Sequence, residues 1–533
     1  MTPTTNAVDV RLSYQEDHLY VRAAAMDRRL WFDRSPSPDD LTAWDAATLY
    51  LDTAGNAGLA PGTHSYRFVA QLSVTPSREE YQAAYQGNGT GWAAADLPFT
   101  STTDWAGNYP NDEIDDRGWA PKFLIPYSTL GLSGPPAEGT IWGMALVLHD
   151  RDDTQGTPIE DQVWPETMQP EQPATWGQLR FGNPAYSPPP ASREGEVVIR
   201  HGLNGATVMD ADVGGSSICG SPAAPDYFST WGDLNWAGKT FVNIQNVGAI
   251  SEWPCFSKYY VTFPLDALPA ERVVISATLT LYLTGGAGHD ADPGPKPSLI
   301  QVLTVDGYWT ESSVTWNNAP LARDNISATW VDPVDGGPPP PGIPYDWDVS
   351  RAVAEAYAAG APVHLALYES DWAFHSGKYF HSSDVGSWNE EARPTLRVAW
   401  GLALSRITKT AIPTSGSQND PIDYALSFVG TGEGLSLTDT LPAGIGTPGE
   451  FVVEGSSVLP SYDSTCHCLT WRDSPPFGQE VTIGYTARIV TSEIQALWNV
   501  ARLTGSNGES SNASAVVLAH PLLVYLPLVL KAD

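Results

Sequence analysis

The stretch WTESSVTWNN, Trp309–Asn318, decides how this 533-residue chain is interpreted. It follows one strand-like run, ISATLTLYL (Ile275–Leu283), and precedes another, RPTLRVAW (Arg393–Trp400). Both runs are rich in the β-branched, aromatic and aliphatic residues that favour strands. The middle of the chain is therefore predicted to consist of β-strands joined by polar loops that contain tryptophan.

This middle segment resembles the DNRLRE domains, β-sandwich modules of secreted bacterial proteins, some of which bind acidic polysaccharides. Three further motifs keep the order of that family: YVTFPLDALP, DVSRAVAEAYAAG and FHSSDV. The resemblance covers about residues 195–400 and implies a module without catalytic machinery. It also implies that Trp309 and Trp316 pack in the core or at a sheet edge. Asp348 is a suitable N-cap for a short helix that ends at Gly360.

The composition indicates an all-β protein with several domains. Charged residues make up only 17% of the chain, which holds 48 Gly, 45 Pro and 20 Trp. A chain rich in turn-forming and aromatic residues is typical of β-sandwiches, and its length suggests roughly three or four domains. A proline-rich segment is the clearest linker, and a second boundary lies near Gly401. We predict three consecutive β-sandwiches, the first two jelly-roll-like and the third immunoglobulin-like. The predicted parts are residues 1–183, the linker 184–194, residues 195–400, residues 402–519 and an apolar tail, 520–533.

The first module begins with a predicted hairpin, Val8–Asp27, with apolar residues at every second position around a turn at Gln15–His18. The segments LYLDT, IPYSTLG, WGMALVLHDRD and a WG-L-FG pattern follow in that order. This order resembles family 9 carbohydrate-binding modules, which are β-sandwiches. The chain starts too late to hold the opening strand of that family, and Leu124 stands where the family tends to have an acidic residue. The sugar-binding residues of the family therefore cannot be transferred one by one.

The third module resembles the domain-of-unknown-function 11 repeat, an immunoglobulin-like β-sandwich of bacterial surface proteins. The motifs that carry the resemblance are ITKTA, IDYALSFVGTG, LTDTLPAGI, LTWRDSPPFGQEVTIGYTARI and LWNVARLTG. The resemblance implies a stalk that holds other modules away from a surface. The tail HPLLVYLPLVLK is short and holds two prolines. A terminal β-strand is one interpretation, and the tail also resembles the short segment found at the end of many secreted modular bacterial proteins.

Charge and hydropathy restrict the partners and the location. The formal net charge is −33, which disfavours binding to nucleic acid and to anionic membranes. No apolar run reaches the ~18 residues that a membrane helix needs. Residues 1–10 lack the basic and apolar regions of a signal peptide. The three resemblances imply an extracellular or cell-surface protein, although this chain shows no signal peptide, and we expect a monomer that does not insert into a membrane.

Aromatic side chains are the best candidate ligand groups, because no GxSxG, HExxH or P-loop motif is present. Sugar rings stack their C–H bonds on aromatic faces, while amides and carboxylates bind the hydroxyls. A long polar stretch, Gly91–Trp119, places four large aromatics among Asn, Asp and Thr. The predicted carbohydrate-binding residues are Trp92, Trp105, Tyr109 and Trp119. Local packing of these aromatics is the alternative interpretation.

A calcium site is the one cofactor site that the sequence suggests. Asp150, Asp152 and Asp153 follow a predicted strand in HDRDD, and their carboxylate oxygens are the ligands that Ca²⁺ prefers. An ordinary solvated acidic loop is the alternative.

The four cysteines form two candidate pairs. Cys219 and Cys255 lie in one module, where a disulfide and two free thiols are both open. Cys466 and Cys468 occupy positions i and i+2, and in an extended strand their Cα atoms would be near the upper limit for a disulfide. A bridge between Cys466 and Cys468 is therefore less favoured.

The third module also holds a candidate covalent cross-link. Lys409 lies in its first predicted strand, Asn499 in its last, and Asp439 between them. Immunoglobulin-like surface domains of some bacteria join such a Lys to such an Asn through an isopeptide bond. A buried acid promotes that reaction, because burial disfavours the charged amine. A partly exposed lysine without a cross-link is the alternative.

From the sequence we predict a secreted or surface-displayed, non-catalytic protein that binds a polysaccharide or cell-wall glycan through its N-terminal modules. Two alternatives stay open. One is a purely structural spacer or adhesion protein without sugar binding. The other is the binding half of a larger glycan-active enzyme.

Overall fold

The structure is a computed structural model with side chains. It describes residues 7–55, 58–75, 77–154, 157, 159–183, 185–215, 231–246, 250, 255–288, 294–371, 377–403, 405–506 and 508–520. Within these ranges the protein is almost entirely β-structure arranged in several sheets, which confirms the predicted fold class. None of the helices in these ranges is both long enough and apolar enough to cross a membrane.

The strands of residues 7–183 form two sheets. They are β1 (Ala7–Tyr14), β2 (His18–Met26), β3 (Ala46–Asp52), β4 (Ser65–Gln71), β5 (Gln82–Gly87), β6 (Trp92–Ala94), β7 (Thr100–Ala106), β8 (Gly118–Pro126), β9 (Ile141–His149), β10 (Gln162–Trp164) and β11 (Gly177–Arg180). A four-stranded sheet has the order β1-β2-β8-β7, and a seven-stranded sheet has the order β10-β9-β3-β4-β5-β6, with β11 paired to β9. The predicted hairpin is confirmed, since β1 and β2 pair from Ala7↔Met26 to Tyr14↔Leu19.

The core of this sandwich lies between the two sheets and follows the alternation of the strands. Leu49 and Leu51 on β3 and Phe123 and Ile125 on β8 are fully buried in one cluster. Successive residues of a strand point to opposite faces, so Tyr50, between the two leucines, points to the outer face of the seven-stranded sheet. That outer face matters for the candidate site.

The strands of residues 191–403 form two further sheets. They are β12 (Ala191–Arg200), β13 (Met209–Gly214), β14 (Phe241–Ile244), β15 (Ser257–Phe263), β16 (Val273–Gly286), β17 (Ser298–Val305), β18 (Ala322–Val331), β19 (Ile343–Asp348), β20 (Val363–Glu369), β21 (Lys378–His381) and β22 (Thr395–Ala403). One sheet has the order β12-β22-β16-β21-β14 with β19 paired to β16, and the other has the order β13-β15-β20-β17-β18. Trp309 is buried against Tyr260, with ring centroids 6.0 Å apart. Trp316 is half-buried beside Trp231, at 4.7 Å. Both positions agree with the predicted packing role.

The predicted short helix is present, but its N-cap is displaced by one residue. Helix α1 spans Ser350–Ala358, and its N-cap residue is Val349, which makes no side-chain capping bond. The Asp348 carboxylate still accepts a hydrogen bond from the Ser350 amide, at 2.9 Å. Asp348 therefore satisfies a free N–H of the first turn from one position outside the predicted one. Gly360, with φ +65°, follows the helix as predicted.

The strands of residues 408–519 form the last two sheets. They are β23 (Thr408–Ile412), β24 (Ser415–Gly416), β25 (Pro421–Val429), β26 (Leu435–Thr440), β27 (Gly449–Glu454), β28 (Ser461–Asp463), β29 (Cys468–Asp473), β30 (Glu480–Arg488), β31 (Gln495–Gly505) and β32 (Ser510–Ala519). The sheet orders are β23-β25-β30-β27 and β24-β32-β31-β26-β29-β28. A core of aliphatic and aromatic side chains lies between these sheets.

Short 3₁₀ helices connect some of the strands. They are Leu41–Ala43, Glu79–Tyr81, Tyr127–Leu130, Pro173–Thr175, Leu203–Gly205, Trp231–Asp233 and Ser387–Ala392.

Residue contacts divide the chain into two compact units. The first comprises residues 1–186, 198–265 and 278–397, and the second comprises residues 187–197, 266–277 and 398–533. The division into three domains stays a prediction.

Cys466 and Cys468 form a disulfide, so the prediction that this bridge is less favoured is wrong. Cys466 lies in a turn before β29, and His467 has a left-handed φ of +49°. This turn brings the two Cα atoms to 5.2 Å, inside the range for a disulfide. Of the other pair, Cys255 is buried and disulfide-bonded, whereas Cys219 lies outside the described residues.

Candidate functional site

The outer face of the seven-stranded sheet carries a cluster of aromatic side chains. Tyr50 on β3 is covered by Trp92 from β6 and by Trp176, which lies between the Pro173–Thr175 turn and β11. On neighbouring strands, Arg67 of β4 pairs in register with Tyr85 of β5. These five residues, Tyr50, Arg67, Tyr85, Trp92 and Trp176, are called the aromatic face.

The rings of the aromatic face are arranged around Tyr50. The ring centroids of Tyr50 lie 5.7 Å from Trp92 and 5.3 Å from Trp176. The two indoles are almost parallel, with an interplanar angle of 5° and centroids 6.3 Å apart. Trp176 is buried and donates its indole N–H to the Gln169 carbonyl, at 3.0 Å, whereas Trp92 is half-exposed. Trp92 is therefore the indole of the pair that a ligand can reach.

Arg67 gives the aromatic face a polar and charged component. Its guanidinium lies over the Tyr85 ring at 3.8 Å and over the Trp92 ring at 5.5 Å. Burial raises the pKa of Tyr50 to about 12, with Arg67 acting in the opposite direction. Two hydrogen-bonding groups of the aromatic face, Nε of Arg67 and Nε1 of Trp92, are buried and have no partner within the described parts of the chain.

The four predicted carbohydrate-binding residues do not lie together. Trp92 is on the aromatic face, but Trp105 and Tyr109 belong to the edge strand of the other sheet and the loop after it. Trp105 packs against the core and contacts Tyr109, with ring centroids 6.0 Å apart. Trp119 has no exposed surface and is part of the core. Trp119 therefore cannot stack on a sugar in this fold, and its place supports the local-packing alternative.

The carboxylates of the first sandwich meet at one end of its strands. Asp45 directly precedes β3, and Asp150 directly follows β9. Because Ala46 pairs with His149, these two aspartates lie at the same end of the sheet. Asp27 follows β2 of the opposite sheet, and its carboxylate lies within 4.8 Å of those of Asp150 and Asp152. Asp27, Asp45, Asp150 and Asp152 are called the carboxylate cluster.

Hydrogen bonds satisfy only part of the carboxylate cluster. Asp45 accepts from the Trp31 and Arg151 amides, at 2.7 and 2.8 Å. Asp27 accepts from the Arg29 amide through Oδ1, at 2.9 Å. Within the described ranges, Oδ2 of Asp27 and both carboxylate oxygens of Asp152 have no hydrogen-bond partner. Unsatisfied buried carboxylate oxygens are costly, and a bound cation satisfies them.

The raised pKa values of the carboxylate cluster also indicate that the ionised carboxylates are disfavoured there. Burial, with repulsion from neighbouring carboxylates, raises the pKa values of Asp27 and Asp45 well above the ordinary value. Burial also raises the pKa of Asp150 to about 7 and that of Asp152 to about 6. The nearby guanidiniums of Arg28 and Arg29 are ion-paired with Asp115.

The predicted metal ligands are only partly brought together. Asp150 and Asp152 belong to the carboxylate cluster, whereas Asp153 lies outside the group and accepts a hydrogen bond from the Thr157 amide, at 3.2 Å. Asp27 was not predicted as a metal ligand. It follows β2 of the other sheet, and spacing along the sequence does not show that it lies beside Asp150 and Asp152. The solvated-loop interpretation is wrong for Asp150, which is buried.

The predicted cross-link residues Lys409, Asp439 and Asn499 are buried together in the third sandwich. One detail of the prediction is wrong. Asn499 lies on β31, which is followed by β32, so its strand is the next to last.

A family model matches the middle of the chain. It is carbohydrate-binding module family 96, and the match covers residues 229–395. The match lies within the segment compared above with DNRLRE domains and covers less than half of the chain. No curated protein matches this sequence.

Several solved structures are similar to parts of the chain. A family 9 carbohydrate-binding module from Caldicellulosiruptor kristjanssonii, in complex with cellotriose, matches at 16% identity and a TM-score of 0.25, covering 34% of this chain and 77% of that chain. A putative carbohydrate-binding protein from Bacteroides uniformis matches at 13% identity and a TM-score of 0.26, covering 33% and 79%. The C-terminal domain of AspA, an antigen I/II-family protein from Streptococcus pyogenes, matches at 12% identity and a TM-score of 0.21, covering 53% and 98%.

Proposed function

We propose that this protein is a non-catalytic, extracellular carbohydrate-binding protein, and that its first sandwich binds glycan on the aromatic face. The observation that carries the proposal is the half-exposed Trp92, which lies beside Tyr50 and Arg67 on the solvent side of a sheet. A match to a carbohydrate-binding module family in residues 229–395 supports sugar binding elsewhere in the same chain. The third sandwich then acts as a stalk.

The chemistry of the aromatic face suits a sugar ring. One face of the ring presents C–H bonds that stack on the Trp92 indole, and stacking on aromatics is tolerant of sugar type. The Arg67 guanidinium supplies donors for hydroxyl or carboxylate oxygens of the ligand. Glu171 is exposed near this face and can accept from hydroxyls. Given the net charge of −33, such a surface favours neutral glycans over phosphorylated polymers.

The test is affinity electrophoresis of the full chain in gels that contain soluble plant, algal or bacterial polysaccharides. We expect Trp92→Ala to weaken binding by about 5- to 150-fold, because stacking and apolar burial contribute about 1–3 kcal/mol. Tyr109→Ala is the matched control. Tyr109 is an exposed aromatic of the same sandwich, 53% accessible, but it follows the edge strand of the other sheet.

The outcomes separate the alternatives. Retardation that is lost in Trp92→Ala and kept in Tyr109→Ala supports the aromatic face. Equal retardation of both variants and the wild type refutes this site and directs attention to residues 229–395. A wild-type chain that no glycan retards favours the structural spacer instead.

We further propose that the carboxylate cluster holds Ca²⁺. Its ligands would be carboxylate oxygens of Asp27, Asp150 and Asp152, which are hard donors of the kind that Ca²⁺ selects. The unpartnered Oδ2 of buried Asp27 supports this proposal, because it has no other means of satisfaction in the described structure. The ion would join the ends of β2 and β9, which belong to opposite sheets. Calcium-dependent thermal unfolding of the full chain tests it.

A further inference from the structure

Four polar side chains meet inside the core of the third sandwich. They are Lys409 on β23, Asp439 on β26, Tyr485 on β30 and Asn499 on β31. The Lys409 amine contacts the Asp439 carboxylate directly, and both side chains have 0% exposure. Asn499 is also completely buried.

One hydroxyl group connects the amine, the acid and the amide. The Tyr485 hydroxyl donates to Oδ2 of Asp439, at 2.6 Å. The same hydroxyl oxygen accepts from Nδ2 of Asn499, at 2.7 Å, and from Nζ of Lys409, at 3.4 Å. The amine of Lys409 and the amide of Asn499 therefore approach each other around a single atom, next to a carboxylate.

The strand alternation places these groups where apolar residues normally stand. Lys409 shares its strand face with Ile407 and Ala411, and Asn499 shares its face with Leu497 and Ala501, all of which are core residues. Lys409 enters the core from the four-stranded sheet and Asn499 from the opposite sheet. A lysine and an asparagine at two facing core positions are unfavourable unless their polar groups gain something in return.

The environment prepares the amine for attack on an amide. Burial lowers the pKa of Lys409 to about 8, with Asp439 acting in the opposite direction, so a neutral amine is accessible at mildly alkaline pH. Oδ1 of Asn499 has no donor among the described residues. A half-turn of the amide places this oxygen where Nδ2 now lies, and the Tyr485 hydroxyl can then donate its single hydrogen to this oxygen instead of to Asp439.

We propose that Lys409 and Asn499 form an intramolecular isopeptide bond. The neutral Nζ of Lys409 attacks Cγ of Asn499, a C–N bond forms, and the bond from Cγ to Nδ2 breaks. Asp439 accepts the proton that the amine loses and delivers it to the departing nitrogen. Ammonia leaves, and neither an oxidant nor a further reactant is needed.

The cross-linked product avoids the free-energy cost of burying an ionisable amine. A buried, ionisable amine becomes a neutral secondary amide, whose single N–H can donate to Asp439. The bond joins β23 to β31 and hence one sheet of the sandwich to the other. Such a cross-link constrains the unfolded chain as a disulfide does, which suits a stalk that carries load.

Intact-mass spectrometry of the full chain, with disulfides reduced, tests the proposal. We expect the mass to be about 17 Da below the calculated value, because one ammonia is lost. Lys409→Met and Asn499→Leu should each restore the full mass. Lys378→Met is the matched control, because Lys378 is also a buried lysine but lies on β21, and this variant should keep the loss.

Peptide mapping excludes the competing reaction. Asn88–Gly89, Asn204–Gly205 and Asn507–Gly508 are sequences at which succinimide formation also releases ammonia. A proteolytic peptide pair that joins Lys409 to Asn499 supports the cross-link and does not depend on the variants folding. A wild-type chain at its full calculated mass after incubation at mildly alkaline pH refutes it. So does a loss of ammonia that maps to any of the three Asn–Gly pairs and persists in Lys409→Met.

Discussion

Replacement of Asp27 by asparagine is the sharpest perturbation of the carboxylate cluster. The introduced amide would keep an acceptor oxygen for the Arg29 amide, which now lies 2.9 Å from Oδ1 of Asp27, but it would lack the charge that a cation requires. We expect Asp27→Asn to abolish stabilisation by Ca²⁺. In chelator the variant should unfold no earlier than the wild type, because it removes a carboxylate that burial and its neighbours disfavour.

The magnitude follows from mass action. At a Ca²⁺ concentration one hundred times the dissociation constant, an ion bound only by the folded state contributes about 2.7 kcal/mol. For a unit of this size each kcal/mol raises Tm by roughly 2–4 °C, so the increment should be about 5–11 °C. Differential scanning calorimetry of the full chain with Ca²⁺ and with chelator measures it.

The pH dependence provides an internal control. The pKa values of Asp150 and Asp152 are raised by burial to about 7 and about 6, so the folded state binds protons more tightly than the unfolded state. The contribution of these two carboxylates to stability in chelator should therefore be greatest at low pH and should fall as the pH rises from about 4 to about 7. Protons compete with Ca²⁺ for the same oxygens, so the Ca²⁺ increment should be large above pH ~7 and small at pH ~5.

Asp153→Asn is the matched control for Asp27→Asn, since Asp153 lies outside the cluster. It should keep the Ca²⁺ increment. Identical unfolding curves for the wild type with Ca²⁺ and with chelator at neutral pH would refute the metal site. An increment that survives Asp27→Asn would place the ion elsewhere.

Two further predictions concern the stability of the first sandwich. Trp119→Ala, at a position with no exposed surface, should destabilise by about 3–5 kcal/mol through lost burial and a cavity, seen as a lower Tm of the full chain; an unchanged Tm would contradict its core position. Gly118→Ala should also lower Tm, because Gly118 has φ +131° and an added Cβ would collide with the Ala25 carbonyl oxygen. Gly139 also has a positive φ, but an added Cβ there would meet open space. Gly139→Ala should therefore lower Tm less than Gly118→Ala does. An equal decrease in Tm would contradict the predicted collision.

The sequence predicts the strands well where a period of two meets a clear turn. The hairpin from Val8 to Asp27 is found in the predicted register, because one face of each strand is apolar and the turn between them is short. The same alternation also predicts that Trp119 points into the core. Trp119 is in phase with Phe123 and Ile125 on β8, and all three are core residues. Trp119 was instead predicted to bind carbohydrate, because the polar stretch Gly91–Trp119 is dense in aromatic residues.

The candidate sites were predicted less well, because they depend on which strands become neighbours. Tyr50 could be placed on the face opposite Leu49 and Leu51 from alternation alone. Trp176 and Trp92 come from distant parts of the chain, and nothing in their local sequence shows that both cover Tyr50. Long-range pairing of this kind is set by sheet order, which a single sequence does not specify.

The two sites of the first sandwich are connected through β9 and the segment after it. His149, at the end of β9, contacts Thr48 and Asp161 through its two ring nitrogens, both at 2.9 Å. Asp161 directly precedes β10, and its charge acts on Tyr50 of the aromatic face. Asp150, the next residue after His149, belongs to the carboxylate cluster. An ion bound to Asp150 would hold the end of β9, where His149 contacts Asp161. Since a preformed ring arrangement loses less entropy on binding, we propose that Ca²⁺ at the carboxylate cluster would strengthen glycan binding on the aromatic face.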